Sequence, residues 1–179
     1  MTLVATDGIV EALYEGLIPG KTTAEIVERR VLATGTTGSY ENCWIAEQAG
    51  RPLGVLHAYP MDDLANDPPN EPVPEERFVV VEPFDHLDPH AAGSYYINIV
   101  AVQPEAQGQG IGSALIAHAR QQAEERGFTT LSLIVFEENQ RAVRLYKRLG
   151  FAEVARHPAV AHPLIRHGGD LLMMLVPVG

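Results

Sequence analysis

The chain has 179 residues, of which 46% are hydrophobic and 20% charged, and its formal net charge at pH 7 is −10. This balance is typical of a globular protein and excludes a disordered or fibrous one. The negative charge argues against nucleic acid as a partner, and no apolar run approaches the roughly 20 residues of a membrane span. No basic stretch followed by an apolar one opens the sequence, so we expect a cytoplasmic protein with one domain over residues 1–179.

The first half of the chain predicts two helices, a hairpin and a strand. Residues 6–18 and 22–32 place apolar side chains at helical spacing. Two apolar runs flank residues 48–52, which predicts a hairpin. Residues 94–102, with the sequence SYYINIVAV, are rich in aromatic and β-branched side chains, so this segment is predicted to be a central strand.

The second half predicts alternating helices and strands. In chain order they are a helix at 110–126 closed by Gly127, a strand at 128–136, a helix at 138–149, and extended segments at 151–156 and 171–176. Strands that alternate with helices in this way indicate an α/β fold.

An insert at about residues 60–92 separates the two halves. It holds seven prolines and nine acidic residues against one basic residue, Arg77. Within it the run RFVVVEPF, residues 77–84, predicts an extended segment. The insert is too long for an ordinary connection. It is either a solvated acidic loop or a wall of the substrate site that attracts a cationic group.

The stretch QPEAQGQGIGSAL, residues 103–115, places three glycines between a strand and a helix. Such a turn brings main-chain N–H groups and the positive end of the helix dipole close to an anion. A P-loop is excluded because no lysine follows Gly112, and a dinucleotide fingerprint fits poorly because the glycines are spaced two apart. The remaining interpretations are a pyrophosphate site and a tight turn.

Two motifs resemble those of the GNAT family of N-acetyltransferases. The first family motif, V-x-P-E-x-R/Q-G-x-G-x-G/A, stands here at residues 102–112. The second, N-x-x-A-x-x-x-Y-x-x-x-G-F, stands here as Asn139, Ala142, Tyr146, Gly150 and Phe151. The resemblance implies a single-domain fold with a mixed central β-sheet, flanked by helices and splayed between its two central strands. It also implies transfer of an acetyl group from acetyl-CoA to a primary amine.

The resemblance implies contacts between this chain and acetyl-CoA. The strand end at Val100, Ala101 and Val102 would pair with the pantetheine arm. Asn139 would hydrogen-bond the cofactor, unless it only caps a helix. The pyrophosphate would lie on the main chain of seven consecutive residues: Gln107, Gly108, Gln109, Gly110, Ile111, Gly112 and Ser113.

By the same resemblance Tyr146 would contact the cofactor and act as the general acid that protonates the departing thiolate. A tyrosine has a pKa near 10 and a free thiol one near 8.5, so this transfer is mildly uphill. The alternative for Tyr146 is core packing beside Ala142 and Leu149.

The sequence departs from the family pattern at the general base. Many family members have a glutamate on the central strand, whereas Asn98 stands here, and its neutral amide is a poor proton acceptor. Asn98 would then hold a water that relays the proton, or Glu82 or Asp85 in the insert would serve as the base.

Seven histidines raise the question of a metal, but their spacing argues against one. Pro89 interrupts the pair His86 and His90, and the later histidines lie among prolines and glycines. We therefore predict no metal, and a small-molecule or peptide amine as the acceptor, with a homodimer as an option because family members are often dimers. The alternatives are a non-catalytic acyl-CoA sensor and a module that binds nucleotides.

Overall fold

The computed structural model describes residues 6–68 and 73–179. Residues 1–5 of the predicted domain and residues 69–72 of the predicted insert lie outside the described residues. The α-helices are α1 (Ile9–Tyr14), α2 (Thr23–Leu32), α3 (Glu75–Phe78), α4 (Glu82–Leu87), α5 (Ile111–Glu125) and α6 (Gln140–Arg148). The strands are β1 (Cys43–Gln48), β2 (Arg51–Pro60), β3 (Tyr95–Val102), β4 (Thr130–Phe136), β5 (Ala152–Pro158) and β6 (Asp170–Pro177).

The strands form one six-stranded sheet in the order β1-β2-β3-β4-β6-β5. Only β3 and β4 run parallel, and the other neighbouring pairs are antiparallel. The predicted mixed sheet is therefore confirmed, with β3 and β4 at its centre as expected.

Local sequence signals set several of these boundaries. Thr22 accepts a hydrogen bond from the backbone of Glu25, and the Glu25 side chain bonds back to Thr22, so a capping box starts α2. The predicted hairpin is confirmed, since Ala49 and Gly50, both with positive φ, form its two-residue turn. The first predicted helix is shorter than expected, because α1 ends at Tyr14.

Both faces of the sheet are buried. On one face α5 and α6 cover a core that includes Tyr95, Ile97 and Leu133. On the other face the insert, with residues such as Leu87, packs against Tyr96. A sheet covered on both sides explains the nearly continuous apolar runs of its central strands.

The prediction of an extended segment at residues 77–84 is wrong. This stretch contains the end of α3, a turn and the start of α4, and Val79 and Val81 have helical backbone angles. The preference of valine for strands depends on a neighbouring strand to pack against, and none lies beside it in the described part of the chain. Instead Val80, Phe84 and Leu87 recur at helical spacing and point inward.

Candidate active site

The glycine-rich loop leads directly into α5. Gly108 and Gly110 have φ angles of 78° and 85°, a region that side chains with a Cβ rarely adopt. Gly110 is the N-cap of α5, and no side chain caps the helix. The first N–H groups of α5 therefore have no acceptor within the helix, and they belong to residues that line the adjoining cleft. The main chain here suits an anion.

The third glycine of the loop has a different role. A Cβ on Gly112 would lie 3.3 Å from Cδ2 of Leu145 on α6, so its absence allows the two helices to pack closely. At Gly108 and Gly110 a Cβ would meet no atom within 4 Å, so there the backbone conformation selects glycine.

A cleft of 570 Å³ lies in front of this loop. Of the residues predicted to bind the cofactor, all but Gln109 line it: Val100, Ala101, Val102, Gln107, Gly108, Gly110, Ile111, Gly112, Ser113, Asn139 and Tyr146. The side chain of Gln109 turns back instead, and its Nε2 donates to the carbonyl of Glu105 at 3.1 Å.

Three arginines line the cleft although the chain carries a net negative charge. They are Arg141, Arg148 and Arg166. Arg141 donates to Oε1 of Gln107, and Nε2 of Gln107 donates to the carbonyl of Val102 at 3.2 Å. These contacts tie the loop to α6 and to β3, and the arginines favour a polyanionic ligand.

The sheet opens beside this cleft. The ladder between β3 and β4 covers Tyr95 to Ile97 on β3 and ends there. The next residue, Asn98, is a β-bulge, because the pairing of β3 with β2 skips it. Bulges bend a strand, and the bend coincides with the point where β3 leaves β4. The predicted splay between the two central strands is confirmed.

A second cavity, of 340 Å³, lies on the other side of the splay. It shares five lining residues with the first cleft: Asp7, Val100, Asn139, Ala142 and Tyr146. Its apolar lining comes partly from α1, through Ile9, and partly from the insert, through Phe84. The insert is thus a wall of this cavity.

Tyr146 lies where the two cavities meet. Its residue surface is 9% exposed, and its ring packs against Phe151 with centroids 5.8 Å apart. Burial raises the pKa of Tyr146 to about 12. Within residues 6–68 and 73–179 its hydroxyl makes no hydrogen bond, so packing holds the ring while the hydroxyl stays available.

Asn139 caps α6. Its Oδ1 accepts from the backbone N–H of Ala142 at 3.2 Å, and the residue lines both cavities. The cap uses the oxygen of the amide and leaves its nitrogen to face the cavities. Capping and ligand contact are therefore compatible at this residue.

Asn98 lines the second cavity, and its side chain is hydrogen-bonded to His57, a residue to which no motif in the sequence pointed. Its Nδ2 lies 3.0 Å from Nδ1 of His57, and Nε2 of His57 lies 2.7 Å from the carbonyl oxygen of Thr37. His57 is 6% exposed. The only local signal for it is a histidine within the apolar run of β2.

Carboxylates of two segments reach the second cavity. Asp85 of the insert lines it, whereas Glu82 is not among its lining residues. Asp7 lines both cavities, and its Oδ1 lies 2.8 Å from Nδ1 of His167, within hydrogen-bond distance. The sequence analysis missed this pair, whose members are 160 residues apart.

The described residues contain no group of three or more histidine, cysteine, aspartate or glutamate side chains placed to hold a metal ion. Among the same residues, no helix is both long enough and apolar enough to cross a bilayer.

Comparisons with known proteins match this architecture. The family model of the Acetyltransferase (GNAT) family matches residues 11–151. N-acetyltransferase from Staphylococcus aureus Mu50 has a similar fold, with a TM-score of 0.65 and 15% identity over 98% of this chain and 93% of that one.

Two curated relatives match shorter stretches. Mycothiol acetyltransferase from Tsukamurella paurometabola is 40% identical over 72 residues, which is 40% of this chain and 25% of the relative. The ribosomal protein bS18-alanine N-acetyltransferase of Escherichia coli K12 is 37% identical over 79 residues, which is 44% of this chain and 53% of the relative. The chain thus spans a quarter to about half of these relatives. Because the family model covers most of its length, the chain belongs to the GNAT family of acetyltransferases.

Proposed function

We propose that this protein is an N-acetyltransferase that transfers the acetyl group of acetyl-CoA to a primary amine by direct attack in a ternary complex. The observation that carries the proposal is the meeting of two cavities at Tyr146, through the opening between β3 and β4. One cavity is lined by an anion-binding loop and the other by apolar and acidic side chains. Two substrates can therefore approach one another from opposite sides.

The residues of the first cleft fit acetyl-CoA. The unpaired edge of β3 at residues 100–102 offers main-chain groups to the amides of the pantetheine arm, much as an added strand would. The main chain of residues 108–113, with the uncapped start of α5, suits the pyrophosphate, and Arg141 and Arg148 line the same cleft. Asn139 has an amide nitrogen to donate. Bound there, acetyl-CoA supplies a thioester whose C–S bond breaks as the N–C bond of the amide forms.

Tyr146 supplies the proton that the departing sulfur needs. Its pKa of about 12 keeps the hydroxyl protonated at neutral pH. This value lies further above the thiol pKa of about 8.5 than an ordinary tyrosine does, so the transfer is more uphill than the sequence alone predicts. We infer that Tyr146 first donates a hydrogen bond to the sulfur and gives up its proton as the C–S bond breaks.

Asp85 is our candidate for the base that takes the proton of the attacking amine. It lines the cavity together with Asn98, and Glu82 does not. An amine with a pKa near 10 is almost fully protonated at neutral pH and must lose a proton before it attacks. The Asp85 carboxylate both attracts the ammonium form and accepts its proton, directly or through water.

The acceptor that fits the second cavity is a small amine with an apolar body. Its volume, 340 Å³, suits a small molecule. The apolar lining includes Ile9, Val10, Val81, Phe84, Ile134 and Leu171. Asp7 and Asp85 add negative charge, which favours a cationic head group.

The test is release of free thiol from acetyl-CoA with a panel of small amines, followed by mass analysis of the product. We expect thiol release that depends on the amine and a product heavier by one acetyl group. Thermal stabilisation by acetyl-CoA without thiol release for any amine would contradict the proposal and favour the sensor. Stabilisation by ATP or NAD but not by acetyl-CoA would favour the nucleotide-binding module.

A further inference from the structure

A chain of hydrogen bonds runs from the loop before β1 to the wall of the acceptor cavity. Asp67 accepts from the backbone N–H of Thr37 at 2.8 Å and from its hydroxyl. The carbonyl oxygen of Thr37 lies 2.7 Å from Nε2 of His57, whose Nδ1 lies 3.0 Å from Nδ2 of Asn98. Thr37 and His57 are both buried, so the hydrogen bond between them is shielded from solvent.

The chemistry of the partners fixes every donor in this chain. A carbonyl oxygen can only accept, so Nε2 of His57 must carry a proton. Burial lowers the pKa of His57, which favours the neutral ring. Nδ1 of a neutral ring with a proton on Nε2 can only accept. The amide of Asn98 must therefore present its nitrogen to His57.

The other end of the amide then faces the substrate. Asn98 lines the acceptor cavity, and its Oδ1 has no recorded partner among the residues that the structure describes. Because the nitrogen is held by His57, the cavity receives the oxygen, which accepts hydrogen bonds from N–H groups.

We propose that His57 is a positioning residue that holds the amide of Asn98 with its oxygen toward the acceptor cavity, where it accepts a hydrogen bond from the amine to be acetylated. This inference rests on the proposed function and adds to it a pair of residues, His57 and Asn98, that positions the amine. Asn98 aligns the amine. His57, which touches no substrate, determines which end of the Asn98 amide faces the amine. The bulge at Asn98 contributes to this arrangement. It places the Asn98 side chain beside His57, whose ladder partner is Ile99.

A proton on His57 would reverse the arrangement. The cationic ring donates from both nitrogens, so Asn98 would have to turn its oxygen toward His57 and its N–H groups toward the amine. The hydrogen bond to the backbone of Thr37 and, next, the charge of Asp67 oppose the effect of burial on the pKa of His57 and favour the charged ring. The other titratable groups around His57 are Tyr59, with its ring 5.3 Å away, and Cys43, opposite on β1, and burial raises the pKa of both, so they stay neutral.

Two substitutions at His57 separate positioning from packing. His57→Phe keeps a ring of similar size and removes both polar atoms. His57→Gln keeps one donor for Thr37 and one acceptor for Asn98. His118→Phe is the matched control, since His118 lies outside both cavities, packs on Trp44, and has a buried Nε2 with no partner in the described structure.

We expect His57→Phe to lower kcat/KM for the amine by about tenfold or more and to leave the KM for acetyl-CoA unchanged. His57→Gln should recover most of the loss, and His118→Phe should match the wild type. As the pH falls below the ordinary histidine range, through the lowered pKa of His57, the wild type should lose activity more steeply than His57→Gln, which has no ring to protonate. Equal losses in His57→Phe and His57→Gln, or a His57→Phe variant as active as the wild type, would overturn the inference.

NMR of the ¹⁵N-labelled protein gives a readout that needs no turnover. We expect the ring of His57 at neutral pH to carry its proton on Nε2 alone and the side-chain amide signals of Asn98 to shift in His57→Phe. A proton on Nδ1 at neutral pH would refute the arrangement whatever the activity. A wild type that acetylates no amine would overturn the proposed function, whereas an active wild type with unaffected His57 variants would overturn this inference alone.

Discussion

The proposed donor side and the proposed acceptor side of the candidate active site are built in different ways. The donor side consists of residues 107–113 and the neighbouring edge of β3, and it presents mainly main-chain groups from consecutive residues. The acceptor side collects side chains from distant segments, such as Asp7, Asp85 and Asn98. A site made of backbone depends on conformation and tolerates changes of side chain, whereas a site made of side chains depends on their identity. The two sides should therefore respond to substitution in opposite ways.

The largest expected effect is on the donor side, at Gly110. Gly110→Val places a β-branched residue at a φ of 85° and should displace the N–H groups at the start of α5. Hydrogen bonds to a charged group contribute about 1.5–3 kcal/mol each, so the loss of two lowers acetyl-CoA affinity by about 1000-fold. Calorimetric titration measures this.

Gly127→Val is the matched control for Gly110→Val. Gly127 closes the same helix, has a φ of 80°, and has no atom within 4 Å of the position of a Cβ. It should carry a similar strain without loss of affinity. If both variants bind acetyl-CoA equally well, the loop is not the donor site.

The next largest effect is expected at Tyr146, where the two sides meet. Tyr146→Phe should lower kcat by about 100-fold with little change in acetyl-CoA affinity, because only the acidic hydroxyl is removed. Tyr95→Phe is the control, since its hydroxyl bonds Arg126 and the carbonyl of Ala58, outside both cavities. If steady-state kinetics give Tyr146→Phe the kcat of the wild type, Tyr146 is not the general acid.

The raised pKa of Tyr146 also predicts the alkaline side of the pH profile. A pKa of about 12 means that the proton is present at all pH values below that value and is lost only as the pH rises through it. Turnover of the wild type at saturating amine should therefore not fall up to about pH 10, where an ordinary tyrosine would be half ionised. A fall in wild-type turnover centred near pH 9, absent in Tyr146→Phe, would contradict the raised pKa of Tyr146.

On the acceptor side, Asp85→Asn should lower kcat/KM for the amine by about 30-fold. The effect is smaller than for Tyr146 because an amine can also lose its proton to water before it binds. The loss should shrink as the pH approaches the amine pKa of about 10. Glu82→Gln, three residues earlier but outside the cavity lining, should differ from the wild type by less than about twofold. Equal losses of kcat/KM in the two variants would indicate that the overall negative charge of the insert, and not Asp85 itself, supports the reaction.

The smallest effect concerns the shape of the acceptor cavity. Phe84→Ala enlarges it and should raise kcat/KM for a bulky amine relative to a small linear one by about fivefold. Phe78→Ala, on an exposed side chain of α3 that does not line the cavity, should leave the ratio unchanged. A ratio unchanged in Phe84→Ala would mean that the acceptor does not reach the insert.

The contrast between the two sides also explains what the sequence could predict. The proposed donor side lies mostly within one continuous stretch. Its glycine spacing left a pyrophosphate site and a tight turn open, and the family resemblance supplied the residues, whereas the central strands and helices followed from hydrophobic periodicity. The splay needed the family resemblance as well, because nothing local shows that the ladder of β3 with β4 ends at Ile97.

The acceptor side could not be predicted in the same way. His57 meets Asn98 across 41 residues and Thr37 across 20, through a ladder and a bulge that no local pattern reveals. The insert was wrongly predicted as extended at residues 77–84, since three valines suggest a strand when no partner strand is considered. The spacing of Val80, Phe84 and Leu87 was the available signal for a helix.

The bulge at Asn98 carries a consequence for how such a protein arises. A single additional residue in β3 marks the point where the sheet opens and places a polar side chain beside the opening. We expect that deletion of this one residue would remove the bulge, and with it the polar side chain that lies beside the opening. Insertions and deletions at this position therefore change the backbone and the polar side chain of the site together, whereas a point substitution of Asn98 changes the side chain alone.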